Sequence, residues 1–302
     1  MSQNGNNNSS TSFQDNFFGN PGNTSTVSQD GNDNGSNMTQ LGDDNLSSVD
    51  QDGNDNDSVV LQEGDENISD VKQDGNNNSS DVDQWGDRNN SDVDQLGDNN
   101  TATLDQGYFG ADNTSTVLQD GDGNSSDTFQ DNFYGNPGNM STVDQIGNDN
   151  VSIVSQLGDE NISDVDQIGD DHDSDVNQDG NQNESTVIQN FGDGNISDVD
   201  QLGDDNSSNV TQSGNTNNST VLQDGNDNTS TVTQIRDLHL SVVTQIGLDN
   251  LSVVSQTGMQ HDSNVNQVGD DNSSLVSQTV TMHTSDVDQI GNNNTSTVSR
   301  MD

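Results

Sequence analysis

Hydrophobic and polar residues alternate along most of this chain, and the alternation recurs every eleven residues. Gln marks the period, falling at 29, 40, 51, 62, 73, 84, 95 and 106 and running unbroken again from Gln201 to Gln289. Counting all runs, 26 segments end in this slot, the last with Arg300. Aligned on it, Val stands two residues earlier (exceptions Ser12, Met38, Leu104 and Thr128), Ser four earlier (Ala102 once) and Asn or His six earlier. Gly usually follows two later. A spacing of two puts these residues on one face of an extended strand and the intervening Asp, Thr, Asn and Ser on the other. The constant face is the one expected to be buried. Three consecutive copies serve as its type: Asn45, Ser47, Val49, Gln51; Asn56, Ser58, Val60, Gln62; and Asn67, Ser69, Val71, Gln73. Gly42, Gly53, Gly64 and Gly75 supply the positive φ of a tight turn. One strand and one turn cannot bury a face alone, so the units must stack.

The four histidines suggest how many units close a coil. His172, His239, His261 and His283 all stand in the Asn column, the last three 22 residues apart. If two units make one coil, all four lie on one side. The expected fold is therefore all-β: a β-solenoid of two-strand coils, about 22 residues per coil, spanning residues 1–302 as a single solenoid. Val supplies apolar burial and Ser allows close approach. Gln and Asn amides, which donate and accept, are expected to form ladders along the axis.

Composition alone points the other way. The 302 residues include 53 acidic against 4 basic side chains, a formal charge of −49, with only 23% hydrophobic residues. That is a signature of disorder, which 26 registered copies contradict. The composition still excludes much. There is no Cys for a disulfide or thiolate metal site. No apolar run reaches the roughly 18 residues of a membrane span. The four basic residues, Lys72, Arg88, Arg236 and Arg300, form no nucleic-acid patch. Ser and His belong to structural columns, and carboxylates are too abundant for any pair to be specific, so no enzyme is expected. No cofactor is expected either. Outward Asp columns repel and call for diffuse cation screening, with Ca²⁺ binding at turns such as Gly42–Asn45 as the alternative.

The unit Asn-x-Ser-x-Val-x-Gln-x-Gly-x-x-Asn, as at Asn45–Asn56, resembles the curlin repeat of bacterial curli subunits. The resemblance runs from about Gln3 to Arg300. It implies a two-stranded β-solenoid whose subunits stack into extracellular amyloid fibres on the cell surface, in a biofilm matrix and in adhesion. It also implies self-association and the secretion and nucleation partners of a curli-type system. The inward Asn, Ser, Val and Gln columns become fibre-building positions. This chain departs from the familiar pattern in having many more repeats, Asn in both half-repeats and high acidity. No recognisable signal peptide precedes the repeats, so secretion is an expectation from the resemblance.

The period is broken at Asp15–Asn23 and Asp131–Asn139, each adding four residues, at Gly107–Asn113, adding two, and at Asn190–Asn195, adding one. These turn insertions hold Phe17, Phe18, Tyr108, Phe109, Phe133, Tyr134 and Phe191. Such aromatics either anchor a longer turn or project as contacts for adhesion and lateral fibre association. Competing with the fibre is a monomeric acidic, Ca²⁺-stabilised solenoid acting as an adhesin or surface-binding rod. Thr-x-Thr pairs at Thr24/Thr26, Thr114/Thr116 and Thr295/Thr297 are too scattered for an ice-binding array. Diffuse screening predicts that melts at fixed ionic strength, with and without millimolar Ca²⁺, coincide. A calcium-specific rise in Tm would replace that reading with ordered sites.

Overall fold

A computed structural model describes residues 1–16, 22–107, 111–132 and 137–301. Among these residues the chain forms strands β1 (Ser2–Asn4) to β27 (Thr295–Arg300), numbered in chain order, and no helix. Two compact units are distinguished, the boundary falling inside β14 (Val151–Leu157). In the first, the odd strands from β1 to β13 (Met140–Ile146) form one sheet, and the even strands from β2 (Ser9–Asp15) to β12 (Ser125–Asp131) form another. In the second, the odd sheet runs from β15 (Ile162–Ile168) to β27, and the even sheet from β16 (Asp173–Asp179) to β26 (Thr284–Ile290). Each unit is a parallel β-solenoid of two-strand coils, as the eleven-residue period predicts.

Register follows the repeat. Ser47 pairs with Ser69, Val49 with Val71 and Gln51 with Gln73, each 22 residues on. The insertions leave the register intact: Gln95 pairs with Gln119, Gln119 with Gln145 and Gln189 with Gln212. The strands that flank each insertion thus keep the same pairing. A slip of one residue would turn the inward face outward.

The turn has two left-handed positions. Gly42, Gly53, Gly64 and Gly75 have φ of 108°, 124°, 127° and 128°, and two residues on, Asp44, Asp55, Glu66 and Asn77 lie near 56–60°. The second position suits Asx residues, which tolerate this region. The Gly position has a further reason. A Cβ on Gly53 would lie 1.8 Å from the carbonyl oxygen of Gly75 in the next coil, so a side chain fits there only if the backbone shifts, as at Arg236 and Val280, which fill the same slot with φ of 85°.

The core contains two kinds of contact. The inward Val column is 0–4% exposed from Val27 to Val287. Where Ser12 stands in a Val slot, its hydroxyl lies 2.7 Å from that of Ser25 on the opposite sheet, so the Val column of one sheet faces the Ser column of the other. This explains an unusual property of the Ser column. The Oγ atoms of Ser47, Ser58, Ser69, Ser163, Ser241 and their equivalents are buried without a hydrogen-bond partner. Across the core they meet Val methyl groups, and along the column the next hydroxyl is about 4.8 Å away, beyond hydrogen-bond range. Ala102 already occupies one such slot at 1% exposure. Ser163→Ala and Ser241→Ala are therefore expected to leave stability unchanged or raise it, since burying an unpaired hydroxyl costs about 1–3 kcal/mol. Val165→Ala should lower it by ~2 kcal/mol. Denaturant melts of the three variants test this contrast.

Candidate functional site

The surfaces available for function are the two amide columns with the edges they reach, the histidine column, the charged outer faces and the bends. Gln51 donates from Nε2 to Gln73 Oε1 at 2.8 Å, and Gln73 to Gln95 at 2.9 Å. The second amide hydrogen crosses the core to main chain, Gln51 to Gly35 O at 2.7 Å and Gln73 to Asp57 O at 3.0 Å. Gln62 does the same on the even sheet, to Gln84 at 2.8 Å and Leu46 O at 3.0 Å. Each of these links runs the same way: Nε2 of one coil donates to Oε1 of the coil that follows in sequence.

The Asn column works differently from the amide-to-amide ladder expected of it. Asn45 Oδ1 accepts the backbone N–H of Asn67 at 2.9 Å, while Asn45 Nδ2 donates to Gly64 O at 2.7 Å. Asn56 likewise accepts from the Asn78 N–H at 3.0 Å and donates to Gly75 O at 2.9 Å, and Asn67 donates to Gly86 O at 2.8 Å. The side chain bridges the bends of two coils and satisfies main chain that the strand ladder leaves over. Amide-to-amide links of the expected kind are added in both units, Asn113 Nδ2 to Asn89 Oδ1 at 3.1 Å in the first and Asn250 Nδ2 to Asn228 Oδ1 at 3.0 Å in the second. A further ladder, on the outside of the bend, runs from Asn32 through Asn54 and Asn76 to Asp98 Oδ1, each step 2.9 Å. Asn54 and Asn76 lie between the columns that alternation singles out, so sequence reading missed them. The signal was Asn or Asp immediately after Gly.

The histidines occupy the Asn slot and copy its bonding. His239 Nδ1 accepts the backbone N–H of His261, and His261 Nδ1 that of His283, both at 3.2 Å. His172 Nδ1 accepts from Asn195 at 3.2 Å. The other nitrogen faces a carbonyl: His239 Nε2 lies 3.0 Å from Ile235 O and His261 Nε2 3.1 Å from Thr257 O. An acceptor Nδ1 and a donor Nε2–H define one neutral tautomer. His239, His261 and His283 stack with centroids 5.1 and 5.4 Å apart. Burial lowers the pKa of His172, His239 and His261, opposed by their carbonyl contacts. Among the described residues no group of three or more His, Asp or Glu side chains could hold a metal ion.

Outer carboxylates are placed in register. Asp83 lies opposite Asp105, and burial followed by repulsion from Asp81 and Asp105 pushes its pKa up to about 6. Asp81, Asp92 and Asp105 are raised for the same two reasons. Basic residues give local relief: Arg88 holds Asp112 through two hydrogen bonds of 2.7 and 2.8 Å, lowering that carboxyl, and Lys72 lies 3.8 Å from Asp94. Both pairs are exposed, and such pairs contribute little.

Of the aromatics singled out in the insertions, Phe17, Phe18, Tyr108, Phe109, Phe133 and Tyr134 lie outside the described residues. Phe191 is described. It is 83% exposed, with φ of 54°, so it does not anchor its bend against the core. Aliphatic residues just after Gln point outward as alternation requires, Ile168 47% and Ile290 77% exposed. Another outward column, six residues earlier, holds Leu46, Ile68, Ile162 and Leu251 at 41–44%.

The sequence pattern of the curlin associated repeat matches residues 42–75, 75–107, 137–169, 147–180, 169–203 and 203–235, more than half of the chain. Among curated proteins none matches it.

Acid should act in opposite directions on the Asp81–Asp105 and His239–His283 regions. A depressed His pKa contributes stability that is complete above about 6.5 and is lost as pH falls toward the folded-state value. A raised Asp pKa works in reverse: the folded state binds the proton more tightly, so stability grows as pH falls through about 6 for Asp83. Hydrogen exchange compared at pH 7 and 5, after correction for intrinsic rates, should show more protection around Asp81–Asp105 and less around His239–His283. His261→Asn should reduce the acid loss. Uniform change in both regions would refute the assignment.

Proposed function

Because the chain belongs to the curlin associated repeat family, we propose that it is a secreted, curli-like structural subunit that polymerises by coil-on-coil addition into extracellular fibres. The observation that carries this reading is the polarity of the Gln ladder. At the first edge, Gln3 and Gln14 donate into the ladder, to Gln29 and Gln40 at 2.6 Å, and among the described residues no amide donates to their own Oε1. At the last described edge, Gln289 donates to Ser273 O at 3.0 Å and Arg300 fills the last described slot of the odd column, so this edge presents donors. An acceptor edge and a donor edge are complementary between two copies. Strands β1, β2, β26 and β27 each pair on one side only among the described residues, so backbone donors and acceptors support the same head-to-tail contact. A heterologous contact of this kind propagates and does not close.

The family and the fold are those of a structural protein, and matrix formation and adhesion are the roles such fibres would serve. Secretion and nucleation partners of a curli-type system would be needed. Ions enter this reading as mobile screening charge, because the outer Asp columns of joined copies repel.

Growth of the purified chain, followed by electron microscopy and fibre diffraction at moderate salt, tests the proposal. Unbranched fibres with a meridional reflection near 4.8 Å are expected. Gln14→Leu combined with Gln289→Leu, which removes the edge amides of the even column and with them only the link at each end of its ladder, should slow elongation at least tenfold. Persistence of dispersed monomers in the wild-type protein would defeat the reading and favour the monomeric adhesin.

A further inference from the structure

One outer face of the second unit differs from every other extended surface described. It comprises the odd strands β19 (Ser207–Ser213), β21 (Thr229–Asp237), β23 (Leu251–Met259), β25 (Ser273–Thr281) and β27. Outward side chains at the first, third, fifth and seventh strand positions are fourteen Ser or Thr, four aliphatic residues and one Asn, with no carboxylate. The chain as a whole carries −49. The adjoining β17 (Glu184–Asn190) brings in Glu184, and on the even sheet of the same unit β18 (Ile196–Leu202) carries Asp198 and Asp200 and β26 carries Asp286 and Asp288. Single strands elsewhere lack outward acids, such as β22 (Leu240–Leu248), but β20 (Asn218–Asn226) and β24 (Asp262–Val268) beside it supply Asp224 and Asp262. Five neutral strands in succession are peculiar to this face.

The face is also regular. Thr211, Thr233, Ser255, Ser277 and Ser299 lie in register as one column of hydroxyls. Val253 pairs with Leu275 in the next column, and Leu275 is 44% and Ile235 40% exposed. Short side chains and a small aliphatic patch make a surface onto which a second sheet can settle closely.

We infer that this face is a lateral docking surface for a second copy of the same chain, packed sheet against sheet. Charge selects the occupant. Two copies that met through Asp-bearing faces would bury carboxylates against each other, which a low-dielectric contact penalises steeply. Through this face they bury hydroxyls and methyl groups, as in dry sheet-to-sheet zippers. A two-fold arrangement makes the surface complementary to itself. Five strands about 4.8 Å apart and seven residues of about 3.3 Å span roughly 500 Å² per copy. About 1,000 Å² in total is at the lower limit of a specific interface. A single pair is therefore weak, and repetition along neighbouring assemblies makes it effective. The inference goes beyond end-on growth and does not require it, since soluble copies can pair by the same face.

The test uses the full chain at about 0.5 M NaCl, which shortens the range of repulsion to a few ångström, with chelator present to remove divalent bridges. Thr233→Asp/Ser255→Asp/Ser277→Asp places three carboxylates on the hydroxyl column. In-register Asp pairs such as Asp83 and Asp105 show that the fold accommodates them. Thr244→Asp/Ile246→Asp/Asn266→Asp, on the even sheet, adds the same charge elsewhere. Circular dichroism verifies folding, sedimentation velocity reads pairing of soluble protein, and microscopy reads fibre length and bundling separately. The first variant should weaken pairing and bundling at least tenfold with end-on growth rate unchanged, and the second should leave both intact. Equal loss in both variants would reduce the effect to net charge and overturn the inference. So would undiminished bundling in the first, or a wild-type face that retains monomers on insoluble polysaccharide without pairing them.

Discussion

The fold depends on the buried amide. A Gln in the core has two donor hydrogens and an acceptor oxygen to satisfy, and leaving any of them unpaired is costly. The solenoid resolves this by repetition: one hydrogen goes to the next Gln, the other to main chain across the core, and the oxygen accepts from the coil before. The arrangement works only when Gln lies over Gln. Amide chemistry therefore enforces the in-register parallel pairing that Val burial alone would leave loose, and the Gly–Gly approach between coils enforces it again at the bend.

Viewed this way, low hydrophobicity and order are compatible. Conformational entropy is opposed by backbone pairing, a narrow Val column and cooperative amide chains. The high charge falls almost wholly on outward and bend positions, where water and salt reach it. The polar interior also has a weak component. Opposite Val, the Ser column fills space between sheets without hydrogen-bonding, whereas Asn and Gln determine specificity.

Much of this was legible in the chain itself. Column spacing pointed to strand faces and turn glycines, and the histidine alternation to two-strand coils with the sidedness that the stacked His239, His261 and His283 display. What escaped were properties that exist only between coils. That Asn45 serves main chain, that Gly53 lies against the carbonyl of Gly75, and that Ser163 faces hydrocarbon all depend on distances no single unit contains. The neutral outer face was hidden for a related reason. Its residues are about 22 apart in sequence, so a linear reading dilutes them among acidic neighbours from the opposite sheet.

The bend at Asn190–Asn195 carries one residue more than its equivalents, yet Gln189 still donates to Gln212 at 2.9 Å, and Phe191 stands out into solvent. Length variation is thus decoupled from the lattice of amides. Such a bend is a socket: foreign loops grafted there would ride on the outside of each coil, and an assembled array would display them at a spacing fixed by the scaffold beneath.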